Sequence, residues 1–208
     1  MNAKLKVCGM RDAENVLAVS ALQPDYMGFI FYGKSPRFVG EDFQIPESFP
    51  ARIKRVGVFV NETPEKMLAI ARTLQLDFLQ LHGNESTEVC ASVKQAGIGV
   101  IKVFSVDDDF DFAVTKPYQN IVDFFLFDTK GKYYGGNAQA FDWTVLNRYD
   151  QQVPFFLSGG ITPDNVANIA ALKNMNLHAL DVNSGVEITP ALKSIDKLNT
   201  LITHVVNL

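Results

Sequence analysis

Eight short apolar runs, separated by longer helix-patterned segments, constrain this 208-residue chain more than any other feature. The runs cover residues 5–8, 26–31, 55–60, 78–81, 99–103, 124–128, 155–158 and 179–182, about 21 to 31 residues apart from start to start. That interval suits one strand–helix unit each. Most runs are continuously apolar, as parallel strands covered on both faces require. Thr63-Pro64, Thr162-Pro163 and Thr189-Pro190 each set a capping hydroxyl ahead of a proline at a first helical position. Apolar residues then recur at helical spacing. Met67, Ile70, Ala71 and Leu74 follow the first pair, and Leu192, Ile195, Leu198, Leu201 and Ile202 follow the last. A first helix reads through Ala13, Val16, Leu17 and Ser20; the acidic segment after the fifth run is less regular. Residues 46–50, with a proline at each end, read as a loop between the second and third units.

Eight such units predict an α/β fold, a single-domain (β/α)8 barrel over residues 1–208, close to the minimum length for that architecture. An open doubly wound sheet is the rival. It is disfavoured because Cys8-Gly9-Met10-Arg11, not a Gly-x-Gly-x-x-Gly turn, follows the first run. Polar residues also follow nearly every run instead of gathering at one switch point. Nineteen Lys and Arg against 23 Asp and Glu leave a net charge of −4. That balance argues against a general nucleic-acid or membrane-surface binder and leaves local basic pockets open. No run approaches the roughly 18 residues of a membrane span. The apolar stretch behind Met1-Asn2-Ala3-Lys4 is too short for a signal peptide, so the expected location is the cytoplasm. Cys8 and Cys90 make no disulfide framework. Metal-ligand spacings, a nucleophile elbow and a P-loop are all missing from the sequence, so no metal is expected.

In a barrel, chemistry belongs at the C-terminal ends of strands and in the loops behind them. Ser158-Gly159-Gly160 and Asn183-Ser184-Gly185 end the seventh and eighth runs. Glycines there let backbone N–H groups approach an anion; each motif alone also reads as a tight turn, but the two together point to phosphate. Asp128 closes the run Phe124-Phe125-Leu126-Phe127. A carboxyl emerging from such surroundings is expected to be held protonated and able to act as an acid, the alternative being a simple loop cap. Cys8 ends the first run and reads either as an inert small hydrophobe or as a base at the catalytic rim. Cys90 reads as core. Arg37, behind Lys34-Ser35-Pro36, carries a planar fork suited to a carboxylate or phosphate, or is a solvated loop charge. His82 ends the fourth run and donates a hydrogen bond at the site or orients a loop. His178 and His204 read as structural or surface residues. The glycine-rich segment between Thr129 and Asp142, with Tyr133 and Tyr134, reads as a lid or a plain connection.

Ten strand-end motifs then occur in order. They are Lys6-Val7-Cys8-Gly9, Gly28-Phe29-Ile30-Phe31-Tyr32, Lys34-Ser35-Pro36-Arg37, Val56-Gly57-Val58-Phe59-Val60-Asn61, Gln80-Leu81-His82-Gly83, Phe127-Asp128-Thr129, Gly135-Gly136, Phe141-Asp142-Trp143, Leu157-Ser158-Gly159-Gly160 and Asp181-Val182-Asn183-Ser184-Gly185-Val186-Glu187. Over essentially its whole length the sequence resembles the phosphoribosylanthranilate isomerase family of tryptophan biosynthesis. The resemblance implies an Amadori rearrangement of N-(5-phosphoribosyl)anthranilate to 1-(2-carboxyphenylamino)-1-deoxyribulose 5-phosphate, without a cofactor. It implies Cys8 as general base and Asp128 as general acid, Arg37 near the anthranilate carboxylate, and Gly159, Gly160, Ser184 and Gly185 on the phosphate. His82 and Asp181 are expected to face the substrate, Asp181 in a positional part because its negative charge opposes a thiolate. The implied partner is the small phosphoribosyl substrate, with no nucleic acid or membrane, in a monomer or homodimer. The chain departs from the family pattern at Gly33, at Asn137-Ala138 in the glycine-rich segment, and at Pro190-Ala191. A related phosphosugar isomerase of histidine biosynthesis has an aspartate where Cys8 stands, and a non-catalytic phosphate-binding barrel is the remaining alternative.

Overall fold

A computed structural model describes residues 3–129 and 142–206. Strands β1 (Lys4–Val7), β2 (Tyr26–Ile30), β3 (Lys54–Phe59), β4 (Phe78–Leu81), β5 (Gly99–Val106), β6 (Phe124–Thr129), β7 (Phe155–Leu157) and β8 (Leu177–Val182) correspond to the eight apolar runs. All neighbours pair in parallel, and β8 closes on β1 through registers such as Lys6 with Asp181 and Val7 with Val182. The barrel is therefore the closed form expected, and the open sheet is excluded.

Side chains alternate along each strand between two cores. Inside the ring, Val56, Ile101, Leu126, Phe156 and Ala179 pack with Tyr26, Phe78 and Phe124. Outside it, Val7, Phe29, Leu79, Val100, Phe125, Phe155 and Leu180 face the helices. Complete burial of so many large side chains on both faces explains why the runs are continuously apolar. His178 stacks on Phe124 at 4.2 Å and meets the Tyr26 hydroxyl at 2.7 Å. It is a structural residue at the N-terminal end.

That end carries a recurring clasp. Asp25, Asp77 and Asp123 each stand one residue before an even-numbered strand. Their carboxylates accept the N–H of Leu5, Arg55 and Val100 in the preceding strand, at 2.9, 2.8 and 2.8 Å. Their own N–H groups donate to the carbonyls of the same three residues. Before β8 the place is taken by Asn176, which exchanges hydrogen bonds with Gln151.

The helical layer is less regular than the strands. Helix α1 (Ala13–Ala21) is capped by Asp12, α2 (Pro64–Leu74) by Thr63 as the Thr-Pro signal indicates, and α3 (Thr87–Gln95) follows β4. Cys90 is wholly buried in α3, a core residue as expected. After β5, β6 and β7 there are 3-10 turns at Phe112–Tyr118, Trp143–Arg148 and Val166–Leu172. The connection over residues 31–53 holds no helix.

Two Thr-Pro expectations are corrected. At Thr162-Pro163, Asn165 folds back, accepting the Thr162 N–H and donating to the Gly160 carbonyl, and only a 3-10 turn follows. Thr189-Pro190 opens no helix. It ends β9 (Glu187–Thr189), which turns back into β10 (Leu192–Lys193). Ala191 takes φ +69°, a left-handed conformation that a helix interior does not allow. The last helix, α4 (Ile195–Val206), begins only after this hairpin. No described helix is long and apolar enough to cross a membrane.

Candidate active site

The C-terminal rim encloses a cleft of about 670 Å³, counting its open mouth. Cys8, Arg37, His82, Asp128, Asp181 and both glycine segments, expected at the site from the sequence, line it.

Cys8 directly follows β1, and its N–H continues the ladder onto the Val182 carbonyl at 2.8 Å. Gly28 on the neighbouring strand makes room for it: a Cβ there would come within 2.7 Å of the Cys8 sulfur. Burial pushes the Cys8 thiol above its ordinary value; Lys6 and Lys193 oppose that rise and Asp181 adds to it. Asp181 on β8 stands in register with Lys6 on β1, its Oδ1 accepting a 2.8 Å hydrogen bond from the Lys6 ammonium. Burial raises the Asp181 carboxyl, against the pull of Lys6.

Asp128 stands near the end of β6, three strands from β1 around the ring by way of β8 and β7. Its Oδ1 accepts the Thr129 N–H at 2.9 Å, and its Oδ2 lies 3.4 Å from His82 Nε2. The other ring nitrogen of His82 meets Gln80 Nε2 at 3.0 Å. With the amide donating to Nδ1, the imidazole proton resides on Nε2 and points toward Asp128. Lys102, buried behind this loop, donates to the Leu81 and Gly83 carbonyls and to Glu85, which fixes where His82 sits.

Arg37 is not a solvated loop charge. It is buried, with Nε and Nη2 donating to the two oxygens of Glu187 at 2.9 and 2.7 Å. Glu187 is held in turn by Lys193 Nζ at 2.6 Å and by the Ala191 N–H at 3.0 Å. Burial works to raise the Glu187 carboxyl, but Arg37 and Lys193 hold it below its ordinary value. Burial also drives the Lys193 ammonium down to about 8 despite Glu187 beside it. The bidentate clamp locks the guanidinium plane and leaves its Nη1 edge for an anion in the cleft.

The two glycine segments form the remaining wall. Gly159 has φ +91° and Gly160 φ +66°, conformations that suit glycine. A Cβ on Gly159 would run into Thr129, and one on Gly185 into the Ile161 carbonyl oxygen. Backbone N–H groups in such close-packed turns can approach an anion that side chains would otherwise block.

Sequence reasoning missed the supports behind these groups. Glu187 and Lys193, which aim Arg37, lie in the hairpin read as a helix start. Lys6 stands in the sequence as a charge enclosed by an apolar strand, as Lys102 does in the fifth, and Gln80 as an amide two residues before His82. The expected lid falls almost wholly on residues 130–141, outside the described residues.

The chain matches the family model for N-(5'phosphoribosyl)anthranilate (PRA) isomerase over residues 5–204. It is 45% identical over 206 residues to the N-(5'-phosphoribosyl)anthranilate isomerase of Parabacteroides distasonis, covering 98% of this chain and 93% of the relative. The crystal structure of phosphoribosyl anthranilate isomerase from Thermotoga maritima superposes with a TM-score of 0.85 at 35% identity, covering 99% of this chain and 100% of the other. A further phosphoribosyl anthranilate isomerase structure, in complex with reduced 1-(o-carboxyphenylamino)-1-deoxyribulose 5-phosphate, superposes with a TM-score of 0.83 at 34% identity, covering 99% and 100%.

Proposed function

The chain belongs to the N-(5'-phosphoribosyl)anthranilate isomerase family, and on that premise we propose that Cys8 and Asp128 are its base and acid. The enzyme carries out the isomerase step of tryptophan biosynthesis on N-(5'-phosphoribosyl)anthranilate. The observation that carries the assignment is the shared cleft. A thiol from β1 and a carboxyl from β6 line one cavity, and the glycine segments after β7 and β8 form its side.

The chemistry runs in three steps. Asp128, as the acid, gives a proton to the furanose ring oxygen. The C1–O bond breaks and the nitrogen lone pair forms a cationic C1=N bond. Cys8 as thiolate takes the proton from C2, and the C–H electron pair moves into a C1=C2 bond while the C=N pair returns to nitrogen. The enolamine then loses its C2 hydroxyl proton and gains one at C1, giving the ketone. Burial keeps the Cys8 thiol protonated in the resting enzyme, so the positive iminium, an opposite charge arriving beside the sulfur, favours its ionisation when it is needed. Arg37 presents its free edge to the anthranilate carboxylate, and the N–H groups around Gly159, Gly160, Ser184 and Gly185 take the phosphate. His82, through Asp128, keeps the acid oriented, and Asp181 is positional.

The same reading makes residues 1–208 one barrel domain working in the cytoplasm on a small phosphoribosyl ligand. The test follows the loss of substrate fluorescence on adding enzyme. Cys8→Ser and Asp128→Asn each remove nearly all turnover while circular dichroism stays unchanged. A Cys8→Ala enzyme with near-parental turnover would overturn the base assignment.

A further inference from the structure

Three lysines are buried among the described residues, and two have evident structural work. Lys102 holds the backbone of the loop behind β4, and Lys193 holds the Glu187 that aims Arg37. Lys6 differs. It is fully buried, and its ammonium meets no backbone carbonyl among the described residues. Its hydrogen-bond partner is the Asp181 carboxylate at 2.8 Å, and the Cys8 thiol, on the same face of the chain, lies near enough to act on its charge. Lys6 and Cys8 lie two residues apart at the end of β1, so both point into the ring. An apolar pair would fill this layer at least as well, because replacing a buried ion pair by packed hydrophobic residues is often neutral or stabilising. The ammonium is best explained by the group it faces.

We propose that Lys6 is a positioning residue for the base: its ammonium stabilises the Cys8 thiolate, and Asp181 sets how much of that positive charge the sulfur receives. The inference rests on the reading of Cys8 as base. Burial opposes a charged lysine here, yet Asp181 and Cys8 together hold the Lys6 ammonium above its ordinary value, so it stays charged. The other charged or titratable groups around the sulfur are Lys193 from β10 and, across the cleft, Arg37, His82 and Asp128. Among the described residues, Lys6 and Asp181 form the ion pair on the strands directly beneath it, with opposite signs. They therefore act on the thiol in opposite directions.

The experiment titrates Cys8 itself. In a Cys90→Ala background, Cys8 is the sole thiol, and its ionisation is read from iodoacetamide alkylation rate against pH and from thiolate absorbance. Lys6→Met slows alkylation at neutral pH by roughly tenfold, an upward move of about one pKa unit. The basic-side rise of kcat/KM moves up with it. Because Lys6→Met alone strands a buried carboxylate, Lys6→Met/Asp181→Asn serves as the neutral pair, and it too titrates above the parent. Asp181→Asn alone moves the midpoint down. An unmoved midpoint in both lysine variants, or an upward move in Asp181→Asn, overturns the proposal. A fully active Cys8→Ser would instead fell the assignment of the base while leaving the alkylation shifts intact.

Discussion

At the N-terminal end of the barrel, Asp25, Asp77 and Asp123 spend their carboxylates on backbone N–H groups of a neighbouring strand. At the C-terminal end, Asp128, Asp181 and Glu187 face His82, Lys6 and Arg37 around a cleft. The same residue type thus does two things on one scaffold. Below, each acid satisfies an amide donor that would otherwise be lost between strands, and the rest of the layer is aromatic. Above, buried charges confront one another and stored electrostatic work is available to a ligand. The contrast teaches that charge near a strand end has no meaning until its partner is known. Asp77 and Asp123 also meet ammonium groups, Lys54 and Lys94, but those are half-exposed and screened, whereas the Lys6 and Lys193 that face Asp181 and Glu187 are buried and can tune a site.

The contrast is broken most sharply by removing the acid or base. Cys8→Ala and Asp128→Asn each reduce kcat/KM by about a thousandfold, and thermal melts stay where they were. A fall in melting temperature as large as that of a clasp variant would erase the division between the two ends. Next comes Gly185→Ala, whose added methyl strikes the Ile161 carbonyl oxygen. Misplacing the phosphate by about an ångström costs on the order of a hundredfold in kcat/KM, seen mainly in KM if the segment binds substrate. Asp77→Ala works at the other end. It leaves the Arg55 N–H without its partner and lowers stability by about 1–2 kcal/mol in denaturant titrations, with kcat unchanged. The smallest effect is a slope. Burial and Lys4 push His178 down to about 4 from 6.5. A depressed histidine is disfavoured as imidazolium in the folded state, so its stabilising share is present above 6.5 and is lost as pH falls through about 4. His178→Phe flattens the stability–pH curve in that window and leaves the neutral-pH rate alone.

The barrel was legible because its strands are buried on both faces, which writes each of them as an unbroken apolar run. The site was legible wherever function requires an unusual residue at a strand end, as with Cys8, Asp128 and the paired glycine segments. The helices were harder to read. Leu192 and Ile195 keep helical spacing, yet the first lies in a hairpin strand and only the second opens α4. The long-range hold of Arg37 on Glu187 and of Asn15 on the Lys193 backbone decides that boundary, and neither is a local property of the sequence. The connection over residues 31–53 likewise covers the barrel without a helix, through aromatic contacts such as Phe29 with Phe43 and Phe49. Lys6 was in view as a charge inside a strand, but its partner stands 175 positions away.

The alternation of the clasp has a further consequence. Its side-chain links join β1 to β2, β3 to β4 and β5 to β6, and an amide version joins the last two strands. The ring is thus a cycle of four two-strand modules, with the helix-free 31–53 crossing lying between the first and second. Foreign sequence spliced into that crossing would interrupt no module, whereas the same splice into the Gln23-Pro24 bend would pull one apart.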